Sequence, residues 1–171
     1  MEKSMIQVYT GNGKGKTTAA FGLGLRASGW GKRTRIFQFL KDRESGERKA
    51  CEKIEDIEVS NHGTSSFIVD GEVKDEAIEE VKKGFKRAIE ELKSGRWDIL
   101  ILDELNLVIY YNIIDLEEVL ELINKRGETE IIITGRKAPE NLLEKADLVT
   151  MMKNYKHPYS EGVEARKGIE F

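Results

Sequence analysis

The run at residues 5–10 reads as a strand and residues 16–28 as a helix, joined by Gly11-Asn12-Gly13-Lys14-Gly15. Three glycines within five positions let the backbone curl until successive N–H groups converge on one point. The helix that follows adds the positive end of its dipole. This junction commits the chain to a strand–turn–helix unit with an anion-sized cradle at the carboxyl end of its first strand. Lys16 brings a full charge to a polyphosphate there, and the Thr17 hydroxyl stands where it would hold a Mg²⁺ that bridges the phosphates. Thr10, Gly11, Asn12, Gly13, Lys14, Gly15, Lys16, Thr17 and Thr18 are therefore the candidate binding residues for a nucleoside triphosphate. The P-loop pattern asks for glycine at position 10, where Thr10 stands, while Gly15-Lys16-Thr17 fits. A dinucleotide-binding fingerprint needs glycine in place of Lys16, so nicotinamide and flavin readings drop away.

The rest of the chain repeats the same alternation. Strands are expected at 33–40, 57–60, 97–102, 130–134 and 148–152. Helices are expected at 75–93, 116–125 and 139–146, with a short one after the polar loop 41–49. In the helix at 75–93, Ile78, Val81, Phe85, Ala88, Ile89 and Leu92 recur at three- and four-residue steps, the signature of one buried face. On its solvated back, Glu79 and Lys83 form an expected i,i+4 pair. Gly29 and Gly31 are expected to stop the first helix in the left-handed conformation. Residues 61–73, with His62 among them, read as the longest irregular loop. Apolar strands separated by helices imply an α/β fold of the P-loop NTPase, RecA-like kind, a mostly parallel sheet with helices on both faces. A length of 171 residues suits a single domain spanning 1–171.

Asp103-Glu104 close the apolar strand at 97–102, where the acidic partner of a P-loop sits. Both motifs point to one rim of the sheet, since ligands bind beyond the carboxyl ends of parallel strands. The charge balance is 28 Lys plus Arg against 31 Asp plus Glu, a net of −3, with the signs interleaved. That excludes a basic nucleic-acid groove. One cysteine, Cys51, supports neither an internal disulfide nor a Cys-based zinc cluster, which suits a cytoplasmic chain. No segment reads as a signal peptide or a membrane span. Guanine recognition by Asn-Lys-x-Asp has no match. His62 and His157 read as structural, so the attacking atom in any reaction belongs to the substrate. From these residues alone, three readings stand: a group-transfer enzyme using ATP, an ATPase or kinase cleaving the γ-phosphate, and a nucleotide-binding module without catalysis.

Beyond single motifs, the chain resembles the ATP:corrinoid adenosyltransferases. The likeness rests on the run from Tyr9 to Gly22, on Gln38-Phe39 with Lys41, on Gly46-Glu47-Arg48 and on Leu102-Asp103-Glu104-Leu105. It continues through Leu116-Glu117-Glu118-Val119, Ile132-Ile133-Thr134-Gly135-Arg136 and Ala146-Asp147-Leu148-Val149-Thr150. Lys156-His157, Gly162 and Gly168-Ile169-Glu170-Phe171 complete it. Thr10 is itself the residue usual in that family.

The resemblance implies transfer of the 5′-deoxyadenosyl group of ATP to the reduced cobalt of cobalamin or cobyrinic acid a,c-diamide, with release of triphosphate. Co(I) is then the nucleophile, and no protein nucleophile is needed. Lys16, Thr17 and Glu104 become the catalytic residues, with Thr17, Glu104 and Asp103 on the Mg²⁺. The resemblance also implies ATP lying reversed relative to ordinary P-loop enzymes, a flavoprotein reductant and a homodimer. Better-known members carry Gly-Phe-Thr-Trp after the third strand. Here the run is Thr64-Ser65-Ser66-Phe67-Ile68, without tryptophan, and Phe67 is the expected corrinoid contact. The N-terminal extension of some members has no counterpart ahead of the first strand.

Overall fold

The computed structural model of the protein describes residues 4–41, 45–64, 67–69, 72–156, 162 and 164–170. Six strands form one sheet: β1 (Ile6–Thr10), β2 (Thr34–Phe39), β3 (Ile57–His62), β6 (Ile99–Asp103), β7 (Glu130–Thr134) and β8 (Leu148–Met151). Their order is β3-β2-β6-β7-β1-β8, and every pairing is parallel. Helices α1 (Lys16–Ser28), α2 (Gly46–Cys51), α3 (Asp75–Lys93), α4 (Leu105–Tyr110), α5 (Leu116–Asn124) and α6 (Glu140–Lys145) cover it. Among the described residues no helix is long and apolar enough to cross a membrane.

Alternation along the central strands sorts the core into two layers. Phe37 and Phe39, Leu100 and Leu102, and Ile131 and Ile133 pack with Val81 and Phe85 of α3 and with α4 and α5. Ile36, Ile99, Ile101 and Ile132 pack with Ala20, Phe21 and Ala27 of α1 and with Cys51 of α2. The same parity carries to the strand ends. Gln38, Asp103 and Thr134 follow Ile36, Ile101 and Ile132 by two residues, so they stand on the α1 side of the sheet.

Several sequence expectations are corrected here. Residues 61–73 are not one irregular loop. Asn61 and His62 extend β3, and Ile68–Val69 (β4) pairs antiparallel with Glu72–Val73 (β5). Leu105–Tyr110 is a helix that the apolar run around it concealed. Gly31 takes the left-handed conformation (φ 70°), whereas Gly29 remains right-handed at −61°. Lys83 reaches Glu80, one turn back at i−3, at 2.8 Å; a three-residue step also brings side chains together on a helix. Leu40 leaves β2 at φ 57°, which ends that strand one residue early.

Candidate functional site

The turn after β1 needs glycine for two separate reasons. Gly11 and Gly15 sit at φ 98° and 114°, where a side chain is strained. Gly11 and Gly13 also lie against the chain leaving β8. A Cβ on Gly11 would fall 2.3 Å from the Met152 carbonyl oxygen, and one on Gly13 2.8 Å from that of Lys153. Hydrogen bonds fix the approach: the Gly13 amide donates to the Met152 carbonyl at 2.8 Å, and the Asn154 amide to Asn12 Oδ1 at 3.1 Å. The Gly13 amide is thus engaged, which removes one donor from the ring expected to face an anion.

Lys16 opens α1 and is buried. Its ammonium donates to the carbonyls of Gly11 (2.9 Å) and Gly13 (2.8 Å), strapping the turn from inside. Burial pushes its pKa below the usual lysine value, Glu104 and Asp103 pull it back, and Arg136 and Lys41 push it further down. Lys14 points to the opposite end of the chain, donating to the Ile169 carbonyl at 3.0 Å and pairing with Glu170 at 3.1 Å.

Thr17, next on α1, donates to Asp103 Oδ1 at 2.9 Å. Asp103 is fully buried and saturated: Thr134 Oγ1 donates to Oδ1 at 2.6 Å, and Gln38 Nε2 and Lys41 Nζ donate to Oδ2 at 3.0 and 2.7 Å. Burial alone would raise its pKa. The Lys41 charge and the hydrogen bonds from Gln38, Lys41 and Thr134 outweigh that and hold it below the ordinary aspartate value, so it stays ionised. Glu104 follows at φ 64°, and its amide donates to Thr134 Oγ1 at 3.0 Å. Burial, and secondarily the Asp103 charge, raise the pKa of its carboxyl; Lys41 and Lys16 work in the other direction. Glu104 Oε2 is buried without a hydrogen-bond partner, an unmet demand for a donor or a cation.

Of the expected residues, Lys16 and Thr17 are brought to Asp103 and Glu104 at the carboxyl ends of β1 and β6, whereas Lys14 turns toward Glu170. Sequence reasoning gave no role to Gln38, Lys41 or Thr134, which complete the cluster. A polar residue at the end of an apolar strand marks Gln38 and Thr134, but the strand order that unites them is not readable from spacing. Phe67 stands on the same rim, half-buried and edge-on to Tyr111 with ring centroids 5.7 Å apart. Ser65, Ser66 and His157 lie outside the described residues. His62 is no loop histidine but a member of β3, packed on Phe37 and 3.0 Å from Ser60 Oγ. Cys51 is buried in the α1-side core, as a packing residue would be.

Thr17, Asp103 and Glu104 offer hard oxygen donors. Among the described residues no three His, Cys, Asp or Glu side chains form a cage. That donor set fits Mg²⁺, which is commonly held by one or two carboxylates together with substrate phosphates.

Comparison with known proteins adds a separate line. The sequence profile described as "ATP:corrinoid adenosyltransferase BtuR/CobO/CobP" matches residues 2–171. "Corrinoid adenosyltransferase CobA" of Salmonella typhimurium is 38% identical over 173 residues, covering 99% of this chain and 87% of its own length. A "Corrinoid adenosyltransferase" of Escherichia coli K12 is 37% identical over 172 residues, covering 99% and 87%. One from Sinorhizobium sp is 37% identical over 175 residues, covering 99% and 81%.

Proposed function

The chain belongs to the ATP:corrinoid adenosyltransferase family, and we propose how its own residues carry that reaction. It is an enzyme that transfers the adenosyl group of ATP to a corrinoid. The γ-phosphate-cleaving and non-catalytic readings are not favoured. The observation that carries the mechanism is the P-loop threonine hydrogen-bonded to Asp103, with Lys16 and Glu104 on the same rim.

In this proposal the Co(I) electron pair forms a bond to the ribose C5′ while the C5′–O bond breaks. Its electrons leave on triphosphate. No proton moves, so no general base is needed, and Asp103, whose two oxygens already accept four hydrogen bonds, serves as a fixed charge. The protein's work is to hold C5′ in line with cobalt and to stabilise the charge growing on the leaving group. Lys16, Lys14 and the remaining amides of the turn take the triphosphate, with Thr10 and Thr18 as the bounding residues of that binding run. Thr17, Glu104 and Asp103 would hold Mg²⁺, which when bound supplies further positive charge at the phosphates. Phe67, backed by Tyr111, is the residue we assign to the corrin face. A flavoprotein reductant, a homodimer and a cytoplasmic setting complete the reading.

The substitution Lys16→Ala tests it. Loss of one charge contact from a preorganised site costs about 100- to 1,000-fold in turnover. Lys16→Ala should therefore lose ATP binding and adenosylation together. Adenosylation that persists after ATP binding is lost would contradict the assignment.

A further inference from the structure

One side-chain ammonium stands among the residues assigned above to the cation. Lys41 Nζ lies 2.7 Å from Asp103 Oδ2, 3.0 Å from Thr17 Oγ1 and 3.7 Å from Glu104 Oε1. These are the side chains assigned there to Mg²⁺, and one ammonium reaches all three. We propose that Lys41 is a resident counter-cation: it holds Thr17, Asp103 and Glu104 assembled while the site lacks nucleotide, and it surrenders that place when Mg²⁺ enters with ATP.

The charges require something of this kind. Two adjacent carboxylates end β6, one of them fully buried, and an uncompensated pair would repel. Neither lysine of the turn serves them directly. Lys16 donates to the Gly11 and Gly13 carbonyls, and Lys14 is paired with Glu170 and the Ile169 carbonyl.

Mg²⁺ and the ammonium also exclude one another. Mg²⁺ takes its oxygens at about 2.0–2.1 Å, so a lysine nitrogen left on the same oxygens would crowd a doubly charged ion. Lysine suits a displaceable role because it is a point charge on a flexible four-carbon stem. The Lys41 side chain is one-third exposed, which leaves it an outward path. Its next acceptor is the triphosphate, because Thr17 borders both the cation site and the phosphate turn. A full charge is thereby kept for the moment when the leaving group needs it.

Manganese serves as the probe, titrated by electron paramagnetic resonance into the full chain with neither ATP nor corrinoid present. Wild-type protein should bind Mn²⁺ weakly. Lys41→Met, which keeps the stem and removes the charge, should bind it at least tenfold more tightly. Lys41→Arg, which keeps a charge, should stay near wild type. A merely structural ion pair predicts loss of affinity or no change, so unchanged or weaker binding in Lys41→Met overturns the proposal. Thermal melting gives the second reading. Mn²⁺ alone should raise the melting temperature of Lys41→Met by several degrees and leave wild type unmoved. A variant that stays unfolded even in excess Mn²⁺ also counts against Lys41, since the metal should replace the missing charge. The inference rests on the cation part of the proposed function. Its failure is separable, because a wild type unable to adenosylate would unseat the reaction without altering these titrations.

Discussion

Asp103 shows how single residues divide the labour at the rim. Four donors converge on it from β2, β7, α1 and the residue Lys41 beyond β2, so its charge is fixed and it serves as an anchor. Glu104 beside it has a buried oxygen without a partner and is the more responsive group. Gly11 anchors in a different sense, by having no side chain. Gly11→Ala would set a Cβ against the Met152 carbonyl in a backbone conformation that disfavours it. The expected cost is about 2 kcal/mol or more in urea unfolding, together with weakened ATP binding. An unchanged unfolding midpoint would show that the chain leaving β8 does not brace the turn. At this scale the sequence displayed what is local. Lys16, Thr17 and the glycines carry their meaning in their spacing. Lys41 does not, because its part depends on β2 lying beside β6, a contact between residues 62 positions apart.

Among the elements, α1 carries the site and α4 was the hardest to read. Leu105–Tyr110 continues the apolar composition of β6, and a run of six residues cannot be told from a strand by periodicity. What separates them is the turn at Glu104, whose positive φ no side-chain pattern announces. By contrast α3 and β7 lie at the expected positions, because nineteen residues of strong periodicity and five of dense apolar character leave little choice. In α1 the glycines differ in purpose. Gly24 packs against Thr34, whereas a Cβ on the exposed Gly22 would meet nothing within 4 Å. Gly22→Ala should therefore stabilise the protein by about 0.5–1 kcal/mol, read as a higher urea midpoint with unaltered ATP affinity. A loss of stability would mean that α1 needs a flexible point at position 22.

Across the whole molecule, the all-parallel sheet gathers the ends of β1, β2, β6 and β7 into one rim, and the two-layer parity directs the polar ends toward α1. The alternation of strands and helices made this architecture legible, but the strand order was not. On the α3 face of the sheet, at the carboxyl end of β3, His62 couples that strand to α3. Burial first, then Arg35 on β2 and Arg87 on α3, lower its pKa, with Glu80 of α3 opposing them. The folded state thus prefers the neutral ring. The unfolded chain binds the proton more readily, so the contribution of His62 is complete above the unfolded value near 6.5 and is lost as pH falls through it. Melting temperature should drop between pH 7 and pH 5, and His62→Phe should flatten that part of the profile. An equally steep fall in the variant would place the titration elsewhere.

The central claim is that the P-loop presents C5′ of ATP, and not its γ-phosphate, to an incoming nucleophile. It is tested by a single incubation of the protein with ATP, Mg²⁺ and chemically reduced cobalamin. The cobalt–carbon bond is followed optically while the phosphate products are assayed. One intact triphosphate for each adenosylated corrinoid is the predicted result. ADP and inorganic phosphate with no cobalt–carbon bond would contradict it.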